Sequence, residues 1–464
     1  MDATQTMPTR ETGDHDDRAF CGHPKGLGYL AFTEAWERFS YYGMQALLVL
    51  YMVKELLLPG HIERVWFFGT FQRLYGLTGQ PLASAIFGTY AASVYLTPIL
   101  GGFLADRVLG KRRTVLAGAM TMAAGHFLMA FEQTFLLALL CLVLGCGMFK
   151  GNLASQVGSL YKPEDLRRAD AFQIFYLAIN AGVITSPLIV GTLGEKIGWH
   201  YGFAAAGVGM LIGLSIYIAG QKYLPQEEVV AEPKSTKVKR PPLSREDRLI
   251  SVLLILLIPV LALAIVPNNQ IFNAYLVWGN EQFDLVFFGK KLPTTWLVTL
   301  DSIVSVAFLA GVALFYRWYG KRWKEPDEIT KIVIGSAFSI AGTLCLFMAA
   351  VSKPADGKIG LMWPFMFHII NSLGFAHIFP VSLALFAKLA PPAINSTIIG
   401  LYYLAFFGGN TLVGWVGGLY EKMATPTFWL LHTGFAIISG AAFVLYKFYL
   451  SKHLIKPPLT PAPA

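Results

Sequence analysis

Apolar residues in this chain run in long blocks rather than alternating with polar ones. Blocks of roughly 18 residues or more lie near 29–58, 82–104, 114–131, 135–157, 170–193 and 201–223. Six more lie near 249–278, 295–316, 330–351, 362–387, 396–419 and 427–449. A helix of about 20 apolar residues crosses the hydrocarbon core of a bilayer, so each block predicts a membrane-spanning helix. Residues 224–248 are polar and carry Pro225, Pro233, Pro241 and Pro242. They divide the chain into bundles expected at 29–223 and 249–449, with tails at 1–28 and 450–464. The pattern predicts an all-α membrane protein of twelve transmembrane helices in two six-helix bundles.

Charge gives the orientation. Of 37 lysines and arginines, 26 fall in the tails and the even-numbered connections and 9 in the odd-numbered ones. Arg38 and Lys150 are intramembrane. The positive-inside rule therefore puts both termini and the linker in the cytoplasm, with the chain in the cytoplasmic (inner) membrane. Hydrophobic residues make up 55% and charged residues 14% of the chain, and the mean hydropathy is +0.53. That composition excludes a soluble domain. The basic loops suit an anionic lipid surface, so the bilayer is the expected partner and nucleic acid is not. Two six-helix halves joined by a cytoplasmic linker resemble the major facilitator superfamily fold. The loop Gly101-Gly102-Phe103-Leu104-Ala105-Asp106-Arg107-Val108-Leu109-Gly110-Lys111-Arg112-Arg113 resembles that superfamily's signature between spans two and three. Its paired glycines would let helices approach closely, and Asp106 and the arginines would latch the cytoplasmic face.

The candidate chemistry lies inside the spans. Glu34, Glu37 and Arg38 share one helix face with Tyr41 and Tyr42, being three or four residues apart. A charge at the centre of a spanning helix costs about 2.5–3.5 kcal/mol on insertion scales, so these three must face partners or water. Lys150 closes the apolar run 135–149 and precedes Asn152, Ser155 and Gln156. A carboxylate that pairs with it and then takes a proton would free it for a substrate carboxylate, linking proton and substrate binding.

Glu34-Ala35-Trp36-Glu37-Arg38-Phe39-Ser40-Tyr41-Tyr42-Gly43-Met44 resembles the ExxER motif of the proton-coupled oligopeptide transporter family. Phe175-Tyr176-Leu177-Ala178-Ile179-Asn180 resembles its FYxxIN motif, and Phe149-Lys150-Gly151-Asn152 matches the place of its span-four lysine. The resemblance implies proton-driven import of di- and tripeptides by alternating access. Glu34 and Glu37 would handle protons, with Arg38 modulating them and helping hold the substrate carboxylate. Lys150 would be the cationic end of the site, and Tyr41, Tyr42, Tyr90 and Asn180 would bond the peptide backbone. No cofactor is implied, and a monomer is expected to function.

The second half departs from the pattern. Pro267-Asn268-Asn269-Gln270 replaces the acids of span seven, and Phe375 stands where span ten usually carries a glutamate. Gln45 stands where the first helix commonly has a second cation. Asp301 in span eight, where the family commonly has asparagine, is expected to replace either the counter-charge of Lys150 or the ammonium-binding carboxylate. His61 and Arg64 on the outer side are expected to meet Glu281 in a pH-sensitive gate, with His61 on the proton route. His126, His368 and His377 read as packing residues, as do Cys21, Cys141, Cys146 and Cys345. The sequence has no GxxxxGK[ST] loop, so ATP drive is not expected. The alternatives are a same-fold transporter of another small anion or an amino acid, such as nitrate, and an integral membrane enzyme or sensor. Nothing resembling a metal cluster or a nucleophile–base pair supports an enzyme.

Overall fold

A computed structural model describes residues 17–162, 165–225, 243–355 and 357–453, with 450–453 by backbone alone. Most of the expected linker and the ends of both tails lie outside the described residues. Twelve long helices follow one another among them. The first six are α1 Lys25–Tyr51, α2 Gly79–Leu104, α3 Lys111–Leu128, α4 Phe135–Ser159, α5 Arg167–Ser186 and α6 Trp199–Gly220. The second six are α7 Arg245–Asn269, α8 Trp296–Gly320, α9 Glu328–Val351, α10 Met362–Leu389, α11 Asn395–Gly417 and α12 Thr425–His453. Ten helical stretches are long and apolar enough to cross a membrane by length and composition. The other two long helices, α1 and α3, fall short for a local reason. Glu34, Glu37, Arg38 and the tyrosines lower the hydropathy of α1, and α3 opens on Lys111, Arg112 and Arg113.

Span seven is not one continuous helix. It ends at Asn269, continues as a tight turn over Gln270–Phe272, and restarts as a short helix over Ala274–Gln282. Asn273 sits at the break with φ −125° and ψ −114°. Its side chain accepts from Ser84 Oγ at 2.8 Å and donates to the Val413 carbonyl at 3.1 Å. Pro267 weakens the helix just before the break. A two-stranded hairpin follows, β1 Val286–Phe287 and β2 Lys290–Lys291. Its turn residues Phe288 and Gly289 both have positive φ, 48° and 73°, as a tight hairpin turn of the primed type needs.

The first six helices pack on one another, as do the second six, and the two halves meet along α2 with α11 and α5 with α8. Gly88 and Gly414 make the α2–α11 crossing possible. A Cβ built on Gly88 would lie 2.4 Å from Gly414 Cα. Within the first half, a Cβ on Gly101 would meet the Gly147 carbonyl at 2.0 Å, whereas Gly102 faces open space. Only the first glycine of that pair serves close approach. Arg112 in the same loop donates to the carbonyls of Leu224 and Pro225, and Lys111 donates to Ser155 Oγ at 2.7 Å. The loop thus ties α3 to the ends of α4 and α6.

Both halves lean together at one face, the one away from the start of α1. There Gln80 donates to the Gly417 carbonyl at 3.0 Å and Lys54 to Asn280 Oδ1 at 2.6 Å. Trp296 Nε1 donates to Thr192 Oγ1 at 2.9 Å. Glu195 makes a two-bond link. Its two carboxylate oxygens accept the backbone N–H groups of Thr294 and Thr295 at 2.9 and 2.8 Å. A carboxylate of the first half therefore caps α8 of the second, where unpaired amides and the helix dipole favour negative charge. The buried apolar core runs continuously across both halves at this face, through Leu47, Val266, Trp278, Val298 and Val413. Toward the other face, the second half has a separate core of its own, around Leu254, Ile332, Phe386 and Tyr402.

Hydrogen bonds to a charged acceptor are worth about 1.5–3 kcal/mol each. Glu195→Ala is therefore expected to populate the conformer open at the Glu195 face. Labelling of an Asn180→Cys reporter by a membrane-impermeant maleimide supplied from that face should rise several-fold, and unchanged labelling would rule the latch out.

Candidate functional site

The central cavity lies between the halves and has a volume of about 220 Å³. The first half lines it with Tyr41, Tyr42 and Gln45 from α1, Tyr95 from α2, Lys150 from α4, and Tyr176 and Asn180 from α5. The second half contributes Asn268 and Asn269, Asp301, Phe375 and Asn410. Among these lining residues Lys150 and Asp301 carry charge, of opposite sign and on opposite halves.

Lys150 is held by an aromatic face rather than a carboxylate. Its Nζ lies 4.9 Å from the centre of the Tyr95 ring, and that ring stacks on Phe406 of the second half at 5.0 Å. Among the described residues no carboxylate pairs with Lys150, so its charge is available to a ligand in the cavity.

The charges of α1 form a separate, buried group. Arg38 Nε lies 3.0 Å from Glu34 Oε1 and 2.6 Å from Glu37 Oε2. Glu34 Oε2, Glu37 Oε1 and Arg38 Nη2 are buried without a hydrogen-bond partner. Two carboxylates thus share one guanidinium, leaving one negative charge unanswered if both are ionised. Arg38 does not line the cavity, contrary to the expected contact with a substrate carboxylate, because both glutamates draw its guanidinium inward. Tyr41 covers it, with the Arg38 guanidinium carbon 5.6 Å from the ring centre. Tyr90 also lies behind the wall. It is buried, stacks on Tyr41 at 6.4 Å, and its hydroxyl has no partner, so the expected backbone contact is not open to it. Tyr41, Tyr42 and Asn180 do reach the cavity, although Asn180 Nδ2 is engaged by the Tyr176 carbonyl at 2.8 Å.

In span seven the missing acids are replaced by amides. Asn371 donates to Asn268 Oδ1 at 2.9 Å, and Asn269 donates to Asn410 Oδ1 at 3.0 Å. Asp301 does not pair with Lys150. Its Oδ1 lies 2.9 Å from His368 Nδ1, and His368 Nε2 lies 2.9 Å from the Tyr275 hydroxyl. His368 is therefore more than the packing residue expected. A histidine in an apolar run carries no sequence signal of its partner 67 residues away. His377 fits the packing reading, with Nδ1 on the Leu373 carbonyl at 2.8 Å. His126 is buried with neither ring nitrogen partnered.

The expected gate contact is not made. His61 Nδ1 lies 2.5 Å from Glu132 Oε1 and Arg64 Nη1 lies 3.4 Å from Glu132 Oε2. Glu281 instead accepts from the Tyr420 hydroxyl at 2.9 Å. The reason is local: Trp66 N–H bonds the Gln133 carbonyl at 3.0 Å. That bond holds the 61–66 turn against the 132–134 turn of its own half.

Comparison with known proteins agrees with this geometry. The profile described as PTR2, POT family, matches residues 112–245. The uncharacterized transporter YclF of Bacillus subtilis (strain 168) is 30% identical, over 88% of this chain and 90% of its own length. The chain belongs to the POT family. A second POT relative, the di-/tripeptide transporter of Lactococcus lactis subsp. cremoris, is 28% identical over 93% of this chain and 96% of its own. Among solved structures, a peptide transporter POT in complex with sulfate superposes with a TM-score of 0.82 at 27% identity. It covers 94% of this chain and 96% of that one. The fold of this chain is that of the POT transporters.

Removing one member of a buried ion group costs about 3–5 kcal/mol, because the charges left behind lose their partner. Arg38→Met is therefore expected to lower the thermal unfolding midpoint of the detergent-purified protein much more than Glu34→Gln, which leaves a balanced pair. Equal losses would show that the group is not electrostatically linked.

Proposed function

We propose that this chain is a proton-coupled symporter that imports di- and tripeptides by alternating access. It acts as a monomer in the cytoplasmic membrane, with both termini on the cytoplasmic side. One observation carries the reading: a cavity between two halves, with an ammonium on one wall and a carboxylate on the other. A peptide is a zwitterion, and Lys150 and Asp301 complement its two ends. The POT family membership and the relative named as a di-/tripeptide transporter support the same substrate class. A small inorganic anion such as nitrate fits less well, because Asp301 would repel it.

In this reading the conformer described here is inward-facing. The bundles 29–223 and 249–449 move relative to one another, and the Glu195 face is the outer one. The Glu34–Glu37–Arg38 group takes up a proton, which balances its second carboxylate. Tyr41 and Tyr42 lie between that group and the cavity, so a change in its charge is felt by the wall that holds Lys150. Substrate bridges the halves by its two ends, and Asn180, Tyr41 and Tyr42 offer hydrogen bonds to its backbone. Loss of the proton toward the cytoplasm returns the group to its charged state and releases the peptide.

The test is uptake of a radiolabelled dipeptide into proteoliposomes with and without an inward proton gradient. The wild type is expected to accumulate peptide only with the gradient. Glu37→Gln should abolish accumulation but keep counterflow exchange, and Lys150→Gln should weaken both. Wild-type protein that neither accumulates nor exchanges peptide would sink the reading. Competition by a single amino acid as strong as that by a dipeptide would move it to amino acid transport.

A further inference from the structure

We propose that Tyr275 and His368 are positioning residues that present the Asp301 carboxyl group to the cavity as the anchor for a primary ammonium group. The inference deepens the peptide-transport reading and rests on it. Its basis is a three-residue chain that runs from the core of the second half to the cavity wall. Tyr275, on the short helix Ala274–Gln282, is fully buried among aromatic rings, packing on Trp278, Phe283, Phe367 and Trp429. Its hydroxyl lies 2.9 Å from His368 Nε2, and the opposite ring nitrogen lies 2.9 Å from Asp301 Oδ1. His368 is fully buried, whereas the Asp301 side chain is 15% exposed and lines the cavity.

The proton positions follow from counting donors. The Tyr275 hydroxyl has one hydrogen and sits in an aromatic box where the imidazole is its polar neighbour. If His368 Nε2 carried a proton, that proton and the hydroxyl hydrogen would compete for one bond, and the phenol would be left without an acceptor. The arrangement that satisfies every group has Tyr275 donating to Nε2 and His368 donating from Nδ1 to Asp301 Oδ1. The tautomer is thus set by the tyrosine, in the way that an outer partner sets which nitrogen of a histidine is protonated. A neutral imidazole orients the carboxylate without cancelling its charge. One Asp301 oxygen is thus fixed in the wall and the other is left for a ligand.

Among the described residues, the groups around this relay do not supply a competing cation. Cys345 of α9 lies near Tyr275. His432 of α12 packs against Trp429 with its ring tilted, and its Nδ1 is bonded to the Phe428 carbonyl. The cation of the site, Lys150, is on the other half. A ligand with an ammonium at one end and a carboxylate at the other satisfies both walls. One whose amine is acylated leaves the Asp301 oxygen facing an amide in place of a cation.

The test is competition against counterflow exchange of radiolabelled dialanine in proteoliposomes. Dialanine and N-acetyl-dialanine serve as competitors. Wild type is expected to favour the free amine by about tenfold or more, the loss of one charge-assisted contact. Asp301→Asn should abolish that preference. His368→Leu should reduce it, and His368→Gln should restore part of it, since an amide can donate to Asp301 and accept from Tyr275. Tyr275→Phe is the diagnostic variant. It removes the donor that sets the imidazole tautomer, so its preference should fall toward that of His368→Leu. Wild-type ratios in Asp301→Asn would overturn the anchor. Unchanged ratios in both His368→Leu and Tyr275→Phe would overturn the positioning role. Failure of the wild type to exchange dialanine at all would instead count against the transport reading.

Discussion

A charge placed among apolar helices has to be answered by another charge, and the interior of this protein is organised by how each one is answered. Arg38 is shared between Glu34 and Glu37, so the group on α1 answers all but one of its charges without reference to the cavity. Lys150 is answered only by the Tyr95 ring, a weak partner, and Asp301 only by a histidine whose neutral form does not cancel it. The two groups left open are the two that face the space between the halves. Polar groups elsewhere in the second half close on themselves as amide pairs, Asn268 with Asn371 and Asn269 with Asn410.

That distribution separates two kinds of site, one on α1 and one between α4 and α8. The glutamates and arginine of α1 are sealed behind Tyr41, where the proton of the proposed cycle would change the field at the wall without touching a ligand. Lys150 and Asp301 line the cavity itself, where the proposed transport cycle would bring them against the ligand. Coupling between the two then needs no shared contact, only that both sense the same reorganisation of α1 against α4 and α5. The break in span seven belongs to the same design. An unwound segment beside a cavity is tolerated because its freed groups find side chains and carbonyls of neighbouring helices, here Ser84 and Val413.

Much of the fold was legible in the apolar blocks, because a bilayer forces each into a helix that satisfies its own backbone. The block at 249–278 misled, since hydropathy registers apolarity and not the break at Asn273, which depends on a hydrogen bond across to Ser84. Within the site, the ExxER stripe, Lys150, Asn180 and Asp301 were readable as charges or amides where none are cheap. Their partners were not. Whether Arg38 faces the cavity or its own glutamates is a matter of rotamer and covering side chains. His368 gave no local sign of Asp301. The gate was misplaced for the same reason: His61 and Glu281 lie on the same face, but the 61–66 turn is pinned by a backbone bond to its own half.

The latch at Glu195 has an asymmetric vulnerability. Its acceptor is a side chain, but its donors are the main-chain amides of Thr294 and Thr295, which almost any residue would supply equally well. Sequence change on the second half can therefore run freely through those positions, with proline the exception, while the first half depends on a single carboxylate. An interaction of that kind leaves a trace in only one of the two surfaces it joins, and a search for matched changes across the interface would pass it by.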